Sequence, residues 1–67
     1  MPRKIRQLIA ELEQAGFEHV STKGSHRKFR HATGTTVILS GQTGADACHY
    51  QEKDIQRAIA SIKETNP

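Results

Sequence analysis

Lys23-Gly24-Ser25-His26-Arg27-Lys28-Phe29-Arg30-His31 is the stretch that decides how this chain folds. Gly24-Ser25 breaks the chain. His26 to Ala32 then reads as a strand, bounded by Ser25 on one side and Thr33-Gly34 on the other. Phe29 is its one large apolar residue and should point into a core. Strand side chains alternate between faces, so His26, Lys28 and Arg30 should line the opposite face together. Arg27 and His31 share the parity of Phe29, which is awkward for a buried face. They are expected at the sheet edge or near the strand ends, where long side chains can reach water.

The flanking segments supply what this strand packs against. Upstream, Ile5, Leu8, Ile9 and Leu12 follow the i, i+3, i+4, i+7 spacing of one helix face. The spacing predicts a helix over about Arg3 to Ala15, with Pro2 in its first turn and Gly16 as a left-handed cap. Phe17 to Thr22 is a first strand and Thr35 to Ser40 a third, with Thr33-Gly34 suited to a tight hairpin between the last two. Gly41 to Ala47 reads as a loop. Ile55, Ala58, Ile59 and Ile62 predict a second helix over about Gln51 to Glu64. Glu52 and Asp54 near its start and Lys63 near its end suit the helix dipole. The order is helix–strand–strand–strand–helix: an α+β domain with a three-stranded antiparallel sheet and both helices on one face.

Composition sets the limits. The chain has 67 residues, of which 34% are apolar, with one Cys and no Trp. That suffices for a single domain over residues 1–67, near the lower limit of independent stability, and excludes a two-domain enzyme. One cysteine excludes an intrachain disulfide framework and suits a reducing compartment. No apolar run approaches the roughly 20 residues of a membrane span, and no apolar region follows the basic N-terminus, so a cytoplasmic protein without membrane contact is expected. The net charge is +3, but its distribution says more. Residues 23–31 carry Lys23, Arg27, Lys28 and Arg30 with no acid, which is +4. Residues 1–22 balance at zero and residues 32–67 stand at −1. A concentrated basic patch is the usual electrostatic footprint of nucleic-acid binding, the alternative being a solvated strand without a partner.

His26 is the residue best placed for chemistry. Neighbouring positive charge favours a neutral imidazole, the form that takes a proton. Such a group can accept the proton of a ribose 2′-hydroxyl and so help to cleave RNA. Lys23, Arg27 or Lys28 could offset charge on the phosphorane. Read from these residues alone, the simpler reading of His26 is a hydrogen-bonding turn residue.

Lys23-Gly24-Ser25-His26-Arg27-Lys28-Phe29 resembles the signature of the HicA toxins, small RNA-cleaving partners of HicB antitoxins: Gly-Ser-His, then an aromatic after two intervening residues, frequently with a basic residue before the glycine. The helix leading through Gly16-Phe17-Glu18, the Thr-Gly turn and Val37-Ile38-Leu39 match the same pattern, so the resemblance covers nearly the whole chain. It implies a fold like that of double-stranded-RNA-binding domains and a single essential histidine, matching His26. It also implies metal-independent mRNA cleavage by an endoribonuclease, without a cofactor, and inhibition by a HicB-like antitoxin that covers the active site. RNA would be held by Lys23, Gly24, Ser25, Arg27, Lys28 and Arg30. The chain departs from the family pattern at Ala47-Cys48-His49-Tyr50, where many members carry Pro-Gly-Thr-Leu, and in lacking a more basic, proline-containing loop after the third strand.

A non-catalytic RNA-binding module of the same fold is the alternative. Duplex-binding domains of that kind place a lysine cluster at the start of the last helix, where this chain has Gln51-Glu52-Lys53-Asp54. Cys48 and His49 match no zinc spacing, and Gly41-Gln42-Thr43-Gly44 lacks the Gly-Lys-Ser/Thr ending of a phosphate loop. Ser25 beside His26 is a turn-former rather than a nucleophile, because strand neighbours point to opposite faces. His19 is expected to be structural or exposed, and Tyr50 to pack over the second helix or to stack on a base.

Overall fold

The computed structural model describes residues 3–65, with side chains through Lys63. The order is α1 (Ile5–Gln14), β1 (Glu18–Lys23), β2 (His26–Arg30), β3 (Thr36–Ser40) and α2 (His49–Thr65). The strands form one antiparallel sheet in the order β1-β2-β3. The expectation for Pro2 lies outside the described residues.

Burial follows the parity read from the sequence. Phe29, Val37 and Leu39 are buried on one sheet face, where Phe29 pairs with Val37 and Arg27 with Leu39. The helix stripes Ile5, Leu8, Leu12 and Ile55, Ala58, Ile62 meet them in a single core with Phe17 and Ala47. Residues of the other parity, His26, Arg30, Thr36 and Ile38, are exposed and Lys28 is half-buried. Both helices therefore cover one face and the other is open. Cys48 is exposed and contributes nothing to the core.

The helix ends show how the elements are pinned. Gly16 has φ of +99°, its N–H bonds the Glu13 carbonyl, and the Phe17 N–H bonds the Leu12 carbonyl at 3.0 Å. These two bonds make a Schellman cap, with Phe17 packed beside Leu12 in the core. Neither helix opens on a Ser, Thr, Asp or Asn cap. Instead a glutamine three residues in accepts from the cap backbone: Gln7 Oε1 takes the Lys4 N–H and Gln51 Oε1 takes the Cys48 N–H, both at 2.7 Å. This is the returning half of a capping box. The first turn of α1 also donates to loop carbonyls, Ile5 N–H to Ala45 and Arg6 N–H to Thr43, which fixes the loop after β3 against the helix start.

The turns place the tight hairpin differently from expectation. The two-residue hairpin is Gly24-Ser25, between Lys23 and His26, with Gly24 at φ +61°. A glycine with positive φ in the first central position is the pattern of a type II′ turn. Thr33-Gly34 lies instead in a five-residue connection, His31 to Thr35, closed by the His31 N–H to Thr35 carbonyl bond at 2.9 Å. β2 thus ends at Arg30, two residues before the expected Ala32. The His31 ring leaves the ladder to lie against Phe17, with centroids 5.3 Å apart, and Nδ1 contacts Thr33.

Candidate nucleic-acid interface

The open face is built by β2 and its cross-strand partners. His26 lies between Lys23 on β1 and Ser40 on β3; Lys28 lies between Ser21 and Ile38; Arg30 lies between Glu18 and Thr36. Directly opposed residues of an antiparallel pair project to the same side, about 4.5–5.5 Å apart at Cβ. His26, Lys23, Lys28 and Arg30 therefore share one surface, with Glu18 the one acid opposite a β2 residue of that parity.

A β-bulge places Lys23 there. The β1–β2 register shifts between His19 and Ser21, leaving Val20 without a partner. His19, opposite Phe29, is on the helix side. Simple alternation from His19 would return Lys23 to the helix side as well. The extra residue inverts the phase, so Ser21 and Lys23 face outward and Thr22 joins His19. The His19 ring packs 5.3 Å from Phe29, and its Nε2 meets the Thr22 hydroxyl at 2.6 Å. Nothing in Val20-Ser21-Thr22 announces the bulge. It emerges only when the pairing of both strands is known.

His26 is exposed at the start of β2, directly after the Gly24-Ser25 turn, and its ring takes no hydrogen bond among the described residues. Both ring nitrogens are thus open to a ligand from the sheet face. Lys28 and Arg30 likewise hold no ion pair among the described residues; the pairs seen are Arg3–Glu11, Lys4–Asp46 and Arg57–Asp54. Three cationic side chains around an imidazole, with their charges uncommitted, can bind the phosphates of a polyanion.

Arg27 stands apart from this group. It sits on the helix-side parity, half-buried, and its Nη1 donates to the Gly41 carbonyl at 2.7 Å. The Gly41 N–H donates in turn to the Ser25 carbonyl at 3.2 Å. These bonds tie the turn before His26 to the loop after β3. The remaining face of Arg27 lines a shallow cleft of about 310 Å³ with Gly24, Ser25, Gln42 and Thr43. Arg27 is thus a positioning group with one side toward a polar cleft, not a member of the sheet-face cluster.

In sequence Gln51 marks only the start of a helix. It is buried, and beyond capping Cys48 it donates from Nε2 to the Ser40 carbonyl at 2.8 Å. Ser40 is the cross-strand partner of His26. The turn before His26 is therefore tied to the residue after β3 by Arg27 and Gly41, and Gln51 holds the end of β3 opposite His26. Tyr50, one residue earlier, is exposed rather than packed on α2. Cys48 and His49 are exposed at the helix start, apart from the sheet face. Among the described residues no helix is long and apolar enough to cross a membrane.

No curated protein matches the chain in a whole-sequence comparison. A family model does: that of the HicA toxin of bacterial toxin–antitoxin, over residues 5–64. The match takes in both helices, all three strands and the Gly24-Ser25-His26 turn. By that match, the chain belongs to the HicA toxin family, and its role is that of a toxin restrained by an antitoxin.

Proposed function

We propose that this toxin is a metal-independent endoribonuclease that cleaves mRNA on the open sheet face, with His26 as its catalytic residue. The reading rests on one observation: His26 is exposed and uncommitted on the same surface as Lys23, Lys28 and Arg30, in a chain of a toxin family. His26 takes the proton of a ribose 2′-hydroxyl. The freed 2′-oxygen attacks the adjacent phosphorus, and the bond to the departing 5′-oxygen breaks, giving a cyclic phosphate and a new 5′-hydroxyl. The departing oxygen takes its proton from water, which reaches the open face. Lys23 and Lys28 offset the charge gained by the phosphorane. Arg30 holds the next phosphate along the strand, and Gly24 and Ser25 bring their turn close to the backbone of the RNA.

The restraining partner is a HicB-like antitoxin that covers this face. The basic surface calls for an acidic or phosphate-like element on it, and an association that weakens as salt rises. A non-catalytic duplex-binding role is disfavoured by Glu52 and Asp54 near the start of α2, which would repel phosphate.

The test is cleavage of an mRNA by the purified protein with a chelator present. His26→Ala should abolish cleavage while leaving the melting temperature unchanged, because the ring holds no bond in the fold. Full cleavage by that variant removes His26 from the mechanism. Tight duplex binding without cleavage by the wild-type protein replaces the enzyme by a binding module.

A further inference from the structure

We infer that the outer edge of β3 is a self-association site, through which two copies of this chain join into one six-stranded sheet. The inference is independent of the ribonuclease reading.

The sheet has two edges, and they are treated differently. On β1 the edge is broken by the bulge at Val20 and flanked by Glu18 and Lys23. Bulges and charges are the usual means by which an edge is kept from pairing. On β3, Thr36-Val37-Ile38-Leu39-Ser40, there is no charge, no proline and no bulge. Its backbone is available in a defined way. The Gly41 N–H bonds the Ser25 carbonyl, and the His31 N–H bonds the Thr35 carbonyl. Hydrogen-bonded pairs alternate along an antiparallel ladder, so residues 35, 37, 39 and 41 face β2. The N–H and C=O groups of Thr36, Ile38 and Ser40 therefore point outward. The Ser40 carbonyl is met there by Gln51, which agrees with that direction; the groups of Thr36 and Ile38 have no partner among the described residues. Ile38 is also the most exposed of the large apolar side chains, at 63%.

The occupant is specified by the strand itself. Laid antiparallel on a second copy with Ile38 opposite Ile38, the side chains match at every position, and the outward backbone groups are available except the Ser40 carbonyl, which Gln51 occupies. Thr36 meets Ser40, Val37 meets Leu39, and the two isoleucines meet on the open face. A shift of one residue would set a threonine or serine against an apolar partner and turn outward-facing groups toward inward-facing ones. The arrangement is isologous and closes as a dimer. Ile38 is centred in the outward-facing set, so its N–H and C=O would exchange bonds with their own copies. Beside the edge, a groove of about 340 Å³ between β3 and α2 carries Asp54 and Arg57, which pair with each other, so the groove adds no charge of its own to the repulsion between two basic copies. Because the two-fold axis stands perpendicular to the sheet, both open faces point the same way. His26, Lys28 and Arg30 of two copies would form one continuous basic surface.

The experiment is sedimentation of the full-length chain over a concentration series at low and high salt. The wild-type mass should rise toward twice the monomer value with concentration, and rise further with salt, since each copy carries +3 and screening relieves their repulsion. Ile38→Lys should hold the monomer mass throughout with an unchanged circular dichroism spectrum. In a Cys48→Ser background, Ile38→Cys should give several-fold more dimer with a short bismaleimide than Val20→Cys on the other edge. A wild-type protein that stays monomeric at every concentration overturns the inference and leaves the edge to a different protein. A dimer indifferent to Ile38→Lys, or cross-linking no stronger at position 38 than at position 20, overturns it equally.

Discussion

Replacing Gln51 by methionine tests how the site is held. The side chain is buried at 6% exposure and makes two short hydrogen bonds, from the Cys48 N–H and to the Ser40 carbonyl. Methionine keeps the length and loses both. A net hydrogen bond is worth about 0.5–1.5 kcal/mol, so the two together give about 2 kcal/mol. A domain of this length has a total stability of about 3–10 kcal/mol, and the loss should lower the melting temperature by roughly 8–16 °C. Gln7→Met is the matched control. Gln7 makes the same cap bond at the start of α1 but is exposed and has no tether to the sheet. Water can replace its one bond, and the cost should stay below about 1 kcal/mol. Urea unfolding followed by circular dichroism measures both. Equal losses for the two variants would refute the tether, since the cap is common to both and only Gln51 reaches Ser40.

The other predictions follow from the same geometry. Arg27→Met should cost about 2 kcal/mol, by loss of a charged donor to the Gly41 carbonyl, measured by urea denaturation. Lys28→Ala should leave that stability within 0.5 kcal/mol, roughly the scatter of surface changes, but lower the slope of log affinity for single-stranded RNA against log salt by about 0.7. Phe29→Ala removes the largest fully buried side chain at a cost of about 3–5 kcal/mol; cooperative thermal unfolding should weaken severely or vanish. Gly24→Ala places a side chain at φ +61° with open space around it. The cost is conformational alone, about 1 kcal/mol, and Gly24→Asn should recover part of it in the same melting assay.

Element order, the parity of β2 and the open face were legible in the sequence because each rests on a short-range period. Ile5, Leu8 and Leu12 can only face one way on a helix, and a lone Phe29 in a basic strand leaves no choice of inner face. The Gly16 cap was legible for a similar reason, since few residues other than glycine adopt its φ. What escaped depends on pairing between segments. The bulge at Val20 is a property of two strands, and it decides that Lys23 faces outward. Arg27 sits in the basic run and reads as one more phosphate contact; only the position of the Gly41 carbonyl, fourteen residues on, shows that it also ties the loop after β3. Gln51 reads as an ordinary polar residue at a helix start until Ser40 is placed beside it. The hairpin went astray because Thr33-Gly34 and Gly24-Ser25 both carry turn residues, and the contact of His31 with Phe17 draws the second connection out to five residues.

These particulars bear on how so small a core supports an exposed site. Among the described residues the eleven buried apolar ones all lie on the helix side, so none can brace His26 from the front. The bracing comes from polar bonds at the end of β3, Arg27 to Gly41 to Ser25 and Gln51 to Ser40. Such bonds fix the backbone of the turn while leaving the His26 ring, Lys23, Lys28 and Arg30 without partners of their own. If RNA and the antitoxin both bind this face, as proposed, the two compete for the same uncommitted side chains. It follows that a change to the frame, such as Gln51→Met, should weaken RNA cleavage and antitoxin binding together, whereas His26→Ala should remove cleavage and leave the antitoxin bound.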